Sequence, residues 1–329
     1  MCFLRLVRFT LSSLAIAALV FGAAVGATAA QYPVKPIDFY VGSAPGGGSD
    51  IMARNVVAVI EKLKLLPQPL TVINQPGVTK TYPHVARKPA DGYTICIGNE
   101  NILTTDLQMR AQNVPGFSFK EITLIARLAL DTNTMTVLAN SPYKSLADYL
   151  ADAKKRPGQV KVGGSDIGGV DDTMLLKIEQ ATGAKGTYVR FKSGGESMAA
   201  LLGGHVDILA ANPNEIAAQL EAGKVRPLVV TAEARWAYLP NIPTLKELGV
   251  NVIVNPFRGV FGPKNLDPEA LRVLREVLRK MSDSKEWEEM YLKKNMLLRA
   301  YLAGPEYDKI AAEEYKWWED AYKQFGLLK

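Results

Sequence analysis

Four glycine-bearing loops hold the residues best placed to do chemistry: Ser43-Ala44-Pro45-Gly46-Gly47-Gly48-Ser49-Asp50, Pro76-Gly77-Val78-Thr79-Lys80, Gly163-Gly164-Ser165-Asp166-Ile167-Gly168-Gly169 and Phe191-Lys192-Ser193-Gly194-Gly195. Each comes after a short apolar run with the composition of a strand, and in open α/β sheets ligands bind beyond the carboxyl ends of strands. Glycine lets the backbone approach a ligand closely, and free amides at the start of a following helix favour an anion. One such loop is more often a plain turn. Four in the same register point to a binding site for a small anion.

Competing chemistries lack parts. The first loop has Ile51 where a dinucleotide fingerprint needs its third glycine, and no Gly-Lys-Ser/Thr ending occurs anywhere. The segment Gly163-Gly164-Ser165-Asp166-Ile167 approaches a nucleophile elbow but closes on isoleucine. His84 and His205 are the only histidines, and both read as solvent-facing residues in ordinary settings. With widely spaced His and Cys there is no metal signature, and no cofactor is expected. Asp171-Asp172 at a helix start reads as an offset to the helix dipole. The enzyme reading that stays open is a hydrolase on an α/β fold with Ser165 as nucleophile.

The elements that must position these loops alternate along the chain. Ile37 to Val41 is a strand, and Ser49 or Asp50 caps a helix carrying Ile51, Val56, Val59, Ile60 and Leu63 at helical spacing. Strands at Leu70 to Asn74 and Tyr93 to Gly98 flank a helix expected over about 81–88. After Ile122 to Leu130 a second series begins with the strand Met135 to Ala139, and Ser145 with Asp148 forms a capping box. Four more strands alternate with three helices up to Thr231. A short strand at Gly259 to Gly262 and a helix opened by Asp267-Pro268 lead into a helical tail. This order predicts an α/β fold with largely parallel sheets.

The first thirty residues have the layout of a secretory signal: Arg5 and Arg8, an apolar run from Phe9 to Val25, then small residues ending at Ala29 or Ala30. Cys2 precedes the apolar run, so lipidation is not predicted. Cleavage removes two arginines and no acid, bringing the formal charge from +6 to +4. Basic and acidic residues are interspersed, which argues against nucleic acid as a partner. Only Cys96 survives processing, in a strand where it acts as a small hydrophobe, so no internal disulfide is expected.

The sequence resembles the Bug/TctC family, the extracytoplasmic solute receptors of tripartite tricarboxylate transporters. The resemblance is carried by Tyr32-Pro33-Val34-Lys35-Pro36-Ile37, Ala44-Pro45-Gly46-Gly47-Gly48-Ser49-Asp50, Asn74-Gln75-Pro76-Gly77 and Pro89-Ala90-Asp91-Gly92-Tyr93-Thr94. Further matches are Phe191 to Gly195, Leu201 to Asp207, Leu239 to Thr244 and Gly259 to Pro263, in the family's order over nearly the whole mature chain. The resemblance implies a type II periplasmic-binding-protein fold with two α/β lobes and a ligand cleft between them. It also implies a monomer in the periplasm that captures a small organic carboxylate and delivers it to membrane transporter subunits, or presents it to a sensor kinase.

By matching position, the resemblance assigns Ser43, Ala44, Gly46, Gly47, Gly48 and Gly77 to the ligand on one lobe, and Ser165, Gly168, Gly169, Lys192, Ser193 and Asn212 on the other. The second loop departs from the family's Pro-Gly-Ala-Gly-Gly, which makes Thr79 and Lys80 replacement donors. Arg258 stands where an aromatic is more usual and can fork onto a second carboxylate. Ala211 replaces the acid that amino-acid binders are expected to carry there. The lobes are expected at 31–132 with 255–329, and at 133–254.

Overall fold

The structure is a computed structural model that describes residues 32–329 apart from 115, 166–168, 192, 325, 327 and 329. The predicted signal segment, Gly168 and Lys192 therefore lie outside the described residues. In chain order the elements begin β1 (Ile37–Val41), α1 (Gly48–Lys62), β2 (Leu70–Asn74), α2 (Val78–Ala86), β3 (Thr94–Asn99), α3 (Asn101–Ala111) and β4 (Ile122–Leu130). They continue with β5 (Thr134–Leu138), α4 (Leu146–Lys155), β6 (Lys161–Gly164), α5 (Val170–Thr182), β7 (Thr187–Arg190), α6 (Gly194–Leu202), β8 (Ile208–Ala211), α7 (Pro213–Glu221) and β9 (Val225–Val230). The chain closes with β10 (Phe257–Pro263), α8 (Pro268–Asp283), helical turns over 285–295, β11 (Leu298–Leu302) and α9 (Pro305–Gln324).

Two sheets share these strands, one ordered β11-β4-β10-β3-β1-β2 and the other β7-β6-β8-β5-β9. Helices cover both faces of each. On the first sheet, α1 buries Val56, Val59 and Ile60, and α8 buries Ala270, Leu274, Val277, Leu278 and Met281. That is the spacing of a single apolar stripe. The opposite face is closed by α2, α3 and α9, whose Tyr307, Ala311, Tyr315, Trp318 and Tyr322 pack with Leu103, Leu107 and Phe261. Cys96 is fully buried in β3, and burial pushes its thiol well above the usual range.

Several expectations need correction. The sheets are mixed rather than largely parallel: β10 is antiparallel to β3 and β4, β11 to β4, and β5 to both β8 and β9. A chain that passes from one sheet to the other and back must send strands in both directions. Helix α2 starts at Val78 and not near Thr81, because Gly77, at φ 103°, turns the chain into it. An L side chain rarely adopts that angle, and glycine does so freely. Helix α3 is absent from the sequence-based expectation: Ile102 to Leu107 are all buried, so no single apolar face marks it. Strand β11 is absent from it too; it is an edge strand whose pairing with β4 is interrupted between Arg299 and Leu302.

Strand direction decides where a site can form. Strands β1, β2 and β3 run parallel, and β4 runs the same way because both it and β3 are antiparallel to β10. In the second sheet β6, β7 and β8 are parallel, and β9 shares their direction through β5. The chain leaves the carboxyl end of β4 at Leu130 and, after three intervening residues, enters β5 at Thr134, opposite Ala211 at the carboxyl end of β8. It returns beside this crossover, where the Asp131 amide donates to the Pro256 carbonyl at 2.7 Å and the Thr231 amide to the Asn133 carbonyl at 3.0 Å. The carboxyl edges of the two sheets therefore face each other across the crossover.

Candidate functional site

On the first sheet the loops leaving β1, β2 and β3 lie at its carboxyl edge, on the side of the crossover to the second sheet. Ser43 Oγ, Gln75 Oε1 and Asn99 Oδ1 are buried there without a hydrogen-bond partner. The Gly77 amide donates to the Gly42 carbonyl at 2.9 Å, which ties the second loop to the first. Helix α1 has Gly47 as its N-cap and α2 has Gly77, and neither start carries a side-chain cap. On the second sheet, α5 begins at Gly169, also without one. Side chains do cap α4, α6 and α8, through Ser145, Ser193 and Asp267. Uncapped first-turn amides carry the positive end of the helix dipole and accommodate an anion.

Contrary to the expectation from sequence, Asp50 does not cap α1; it lies in the first turn and folds back on the loop. Its Oδ2 accepts from the Gly46 amide at 2.8 Å and from Arg54 Nε at 2.9 Å, and its Oδ1 accepts from Asn74 Nδ2 at 2.8 Å. Burial works against the charge of this carboxylate, but the bonds from Arg54, Gly46 and Asn74 outweigh it and lower the pKa from 3.8 to about 2. A carboxylate held below its unfolded value adds stability that is complete above that value and lost as pH falls through the folded one. In thermal melts from pH 6 to pH 2, the advantage of the wild type over Asp50→Asn is expected to be constant down to about pH 4 and gone near pH 2. A pH-independent difference would show that the charge contributes nothing.

The second lobe shows a related arrangement. Asp171, also almost fully buried, takes the Ser165 amide on Oδ2 at 2.8 Å and the Ser165 hydroxyl at 3.2 Å. Its Oδ1 accepts from Asn133 Nδ2 at 2.6 Å. Asn133 Oδ1 in turn accepts from Asn212 Nδ2 at 3.1 Å, and Asn212 Nδ2 also reaches the Thr132 carbonyl at 3.0 Å. Ser193 Oγ caps α6 through the Glu196 amide. The Ser165 hydroxyl thus faces a carboxylate, while His84 sits beside Tyr40 and His205 in the turn after α6. That is no nucleophile and base.

Arg258 reaches from β10 toward the first glycine loop. Its Nη2 donates to Asp131 at 2.7 Å and its Nη1 to the Tyr291 hydroxyl at 3.3 Å, and Nη1 lies 3.6 Å from where a β-carbon on Gly48 would stand. Burial disfavours its charge, but Tyr291 and Asp131 more than compensate and hold the guanidinium protonated. The structure therefore brings Arg258 to the first loop, already engaged by an acid that no sequence motif singles out. Thr79 and Lys80 are exposed and line a separate pocket of about 400 Å³ with Gln75, His84 and Arg87. A larger cavity of about 740 Å³ lies on the flank between α3, α5, β7 and α9, lined by Gln108, Leu176, Tyr188, Arg190, Trp318 and Tyr322.

Sequence reasoning misses Asp131 and Asn133 because they lie in a crossover with no motif. Asp171 is visible in the sequence, but there its place at a helix start suggests only an offset to the dipole. The signal that singles it out is the repetition of Gly-x-Asp at both helix starts, Gly48-Ser49-Asp50 and Gly169-Val170-Asp171. Among the described residues no cluster of metal-ligating side chains occurs, and no helix is long and apolar enough to cross a membrane.

Comparison with known proteins agrees with this architecture. Residues 52–327 match the model of the tripartite tricarboxylate transporter family receptor. A UPF0065 protein from the gbd 5′ region of Cupriavidus necator is 32% identical over 309 residues, covering 92% of this chain and 91% of that protein. BugT of Bordetella pertussis is 25% identical over 312 residues, covering 93% of this chain and 94% of its own. A TctC solute-binding protein from Polaromonas, solved without ligand, superposes with a TM-score of 0.77 at 26% identity, covering 89% of this chain and 100% of that one. A Rhodopseudomonas palustris protein solved with adipate shares the fold at a TM-score of 0.75 and 24% identity, covering 90% and 99%. The two-lobed α/β architecture is that of a type II periplasmic binding protein, and the chain belongs to the tripartite tricarboxylate transporter receptor family, whose members are solute-binding receptors and not enzymes.

Proposed function

We propose that the protein is a periplasmic receptor that closes its lobes, 31–132 with 255–329 and 133–254, around a small organic mono- or dicarboxylate and delivers it to a tripartite membrane transporter. The observation that carries this reading is that α1 and α2 both start on a glycine with no side-chain cap, directly after the carboxyl ends of the parallel strands β1 and β2. Family membership supports the receptor role, and the relatives solved with malate and adipate supply the ligand class to try first. On this reading Ser43, Ala44, Gly46 to Gly48 and Gly77 meet the ligand from one side, while Thr79 and Lys80 belong to the neighbouring pocket. Ser165, Gly169, Ser193 and Asn212 meet it from the other, with Arg258 beside the first loop. Closure is a population shift, favoured by contacts that the ligand makes only in the shut form.

Native mass spectrometry of the purified protein, followed by a thermal-shift screen of malate, adipate and citrate, tests the reading. A carboxylate present at about one hundred times its dissociation constant is expected to stabilise the fold by about 2.7 kcal/mol. Stabilisation by amines or neutral sugars, with none by carboxylates, would remove the carboxylate assignment.

A further inference from the structure

We infer that Asp50 with Asn74 and Asp171 with Asn133 are equivalent braces, one per lobe, and that Asn133 is a positioning residue for the ligand-facing loops. In each brace a buried aspartate in the first turn of a helix turns back on the loop before it. One carboxylate oxygen takes a loop amide, Gly46 at 2.8 Å or Ser165 at 2.8 Å. The other takes a side-chain amide from a separate segment, Asn74 at 2.8 Å or Asn133 at 2.6 Å. The asparagines also fasten the chain around them: Asn74 Nδ2 reaches the Ser43 carbonyl at 3.1 Å, and Asn133 Oδ1 receives Asn212 at 3.1 Å. The two lobes thus solve one problem in the same way.

The problem is conformational. Glycine-rich loops lose the most backbone entropy on ordering, so a loop that meets a ligand mainly through its amides binds tightly only if it is ordered beforehand. A buried carboxylate can supply that order because each of its oxygens has strong acceptor capacity and leaving it unsatisfied is costly. Asn133 belongs to the crossover between the lobes, so its amide joins the β5 start, the Ser165 loop and the α7 start to the segment about which the lobes must turn. This role rests on the carboxylate-binding reading for its functional consequence, but not for its geometry.

The second brace allows a test by exchange. In Asn133→Asp two carboxylates confront each other where a 2.6 Å hydrogen bond stood, with Asn133 fully buried and Asp171 nearly so. Adding Asp171→Asn restores the pattern with its polarity reversed: the new amide donates to residue 133, its oxygen still accepts from Ser165, and residue 133 still accepts from Asn212. Total charge is the same as in the wild type. Amide hydrogen exchange at Ser165, followed by NMR, and calorimetric affinity for adipate and malate are measured on wild type, both single variants and the exchange variant.

The expected result is at least about tenfold faster Ser165 exchange and about tenfold or more weaker binding in Asn133→Asp, corresponding to 1.4 kcal/mol in each. Both should return to within about threefold of wild type in the exchange variant. Should Asn133→Asp fail to fold, Asn133→Ala takes its place and is expected to move exchange in the same direction. Unchanged Ser165 protection in the single variants, or no recovery in the exchange variant, overturns the brace. Recovery of protection with no binding of either acid by any form would sustain the brace and overturn the carboxylate reading instead.

Discussion

Arg258→Ala is expected to lower the stability of the protein by about 3–5 kcal/mol, because it strands Asp131, a buried acid, without its cation. Asp131 is 2% exposed and accepts from Arg258 Nη2 at 2.7 Å. The loss should appear in urea unfolding as a lower midpoint with an unchanged slope. Removing both charges, as Asp131→Leu with Arg258→Met, is expected to recover most of the loss, since a buried ion pair contributes little beyond an apolar pair of similar volume. A decrease below about 1 kcal/mol in the single variant would mean that water reaches Asp131 after all. The pair sits where β4 leaves one lobe and β10 returns to it, so it holds the two crossover segments together under the first glycine loop.

Trp287→Ala is expected to cost a comparable amount, about 3–5 kcal/mol, for a different reason. Trp287 is fully buried beneath α1 and α8 and stacks on Tyr291 with ring centroids 4.6 Å apart. Truncation leaves a cavity that rigid sheet and helix backbones fill poorly. Trp287→Phe should cost much less, about 1–2 kcal/mol, because it keeps a ring and discards an indole N–H that has no hydrogen-bond partner. Thermal melts of the three proteins check the ranking, and equal losses in both variants would contradict the cavity argument. Since Tyr291 also receives Arg258 Nη1 at 3.3 Å, the two alanine variants should not be additive when combined.

How much of the molecule is legible in its sequence depends on the range of the interaction. The capping box at Ser145 and Asp148 and the Asp267-Pro268 helix start are local devices, and the structure has both where the sequence puts them. The buried setting of Cys96 agrees equally well with its apolar neighbours. Helix α3 escapes because burial on all sides erases the periodicity that marks a helix. Strand β11 escapes because an edge strand with an interrupted register carries little alternation. The glycine loops stand out from composition, yet nothing in composition distinguishes a loop braced by a distant asparagine from one that is not.

The residue order by itself determined the α/β class, the loops after the strands and the family, because each is written in neighbouring residues: apolar runs, glycine spacing and helix caps. Only the tertiary structure decided that the carboxyl edges of the two sheets face each other, that Arg258 is engaged by Asp131, and that Asn133 joins Ser165, Asp171 and Asn212. Those facts depend on strand direction and on contacts between residues 38 to 127 positions apart. No local preference encodes such contacts, because they exist only once the chain has crossed between its lobes and returned.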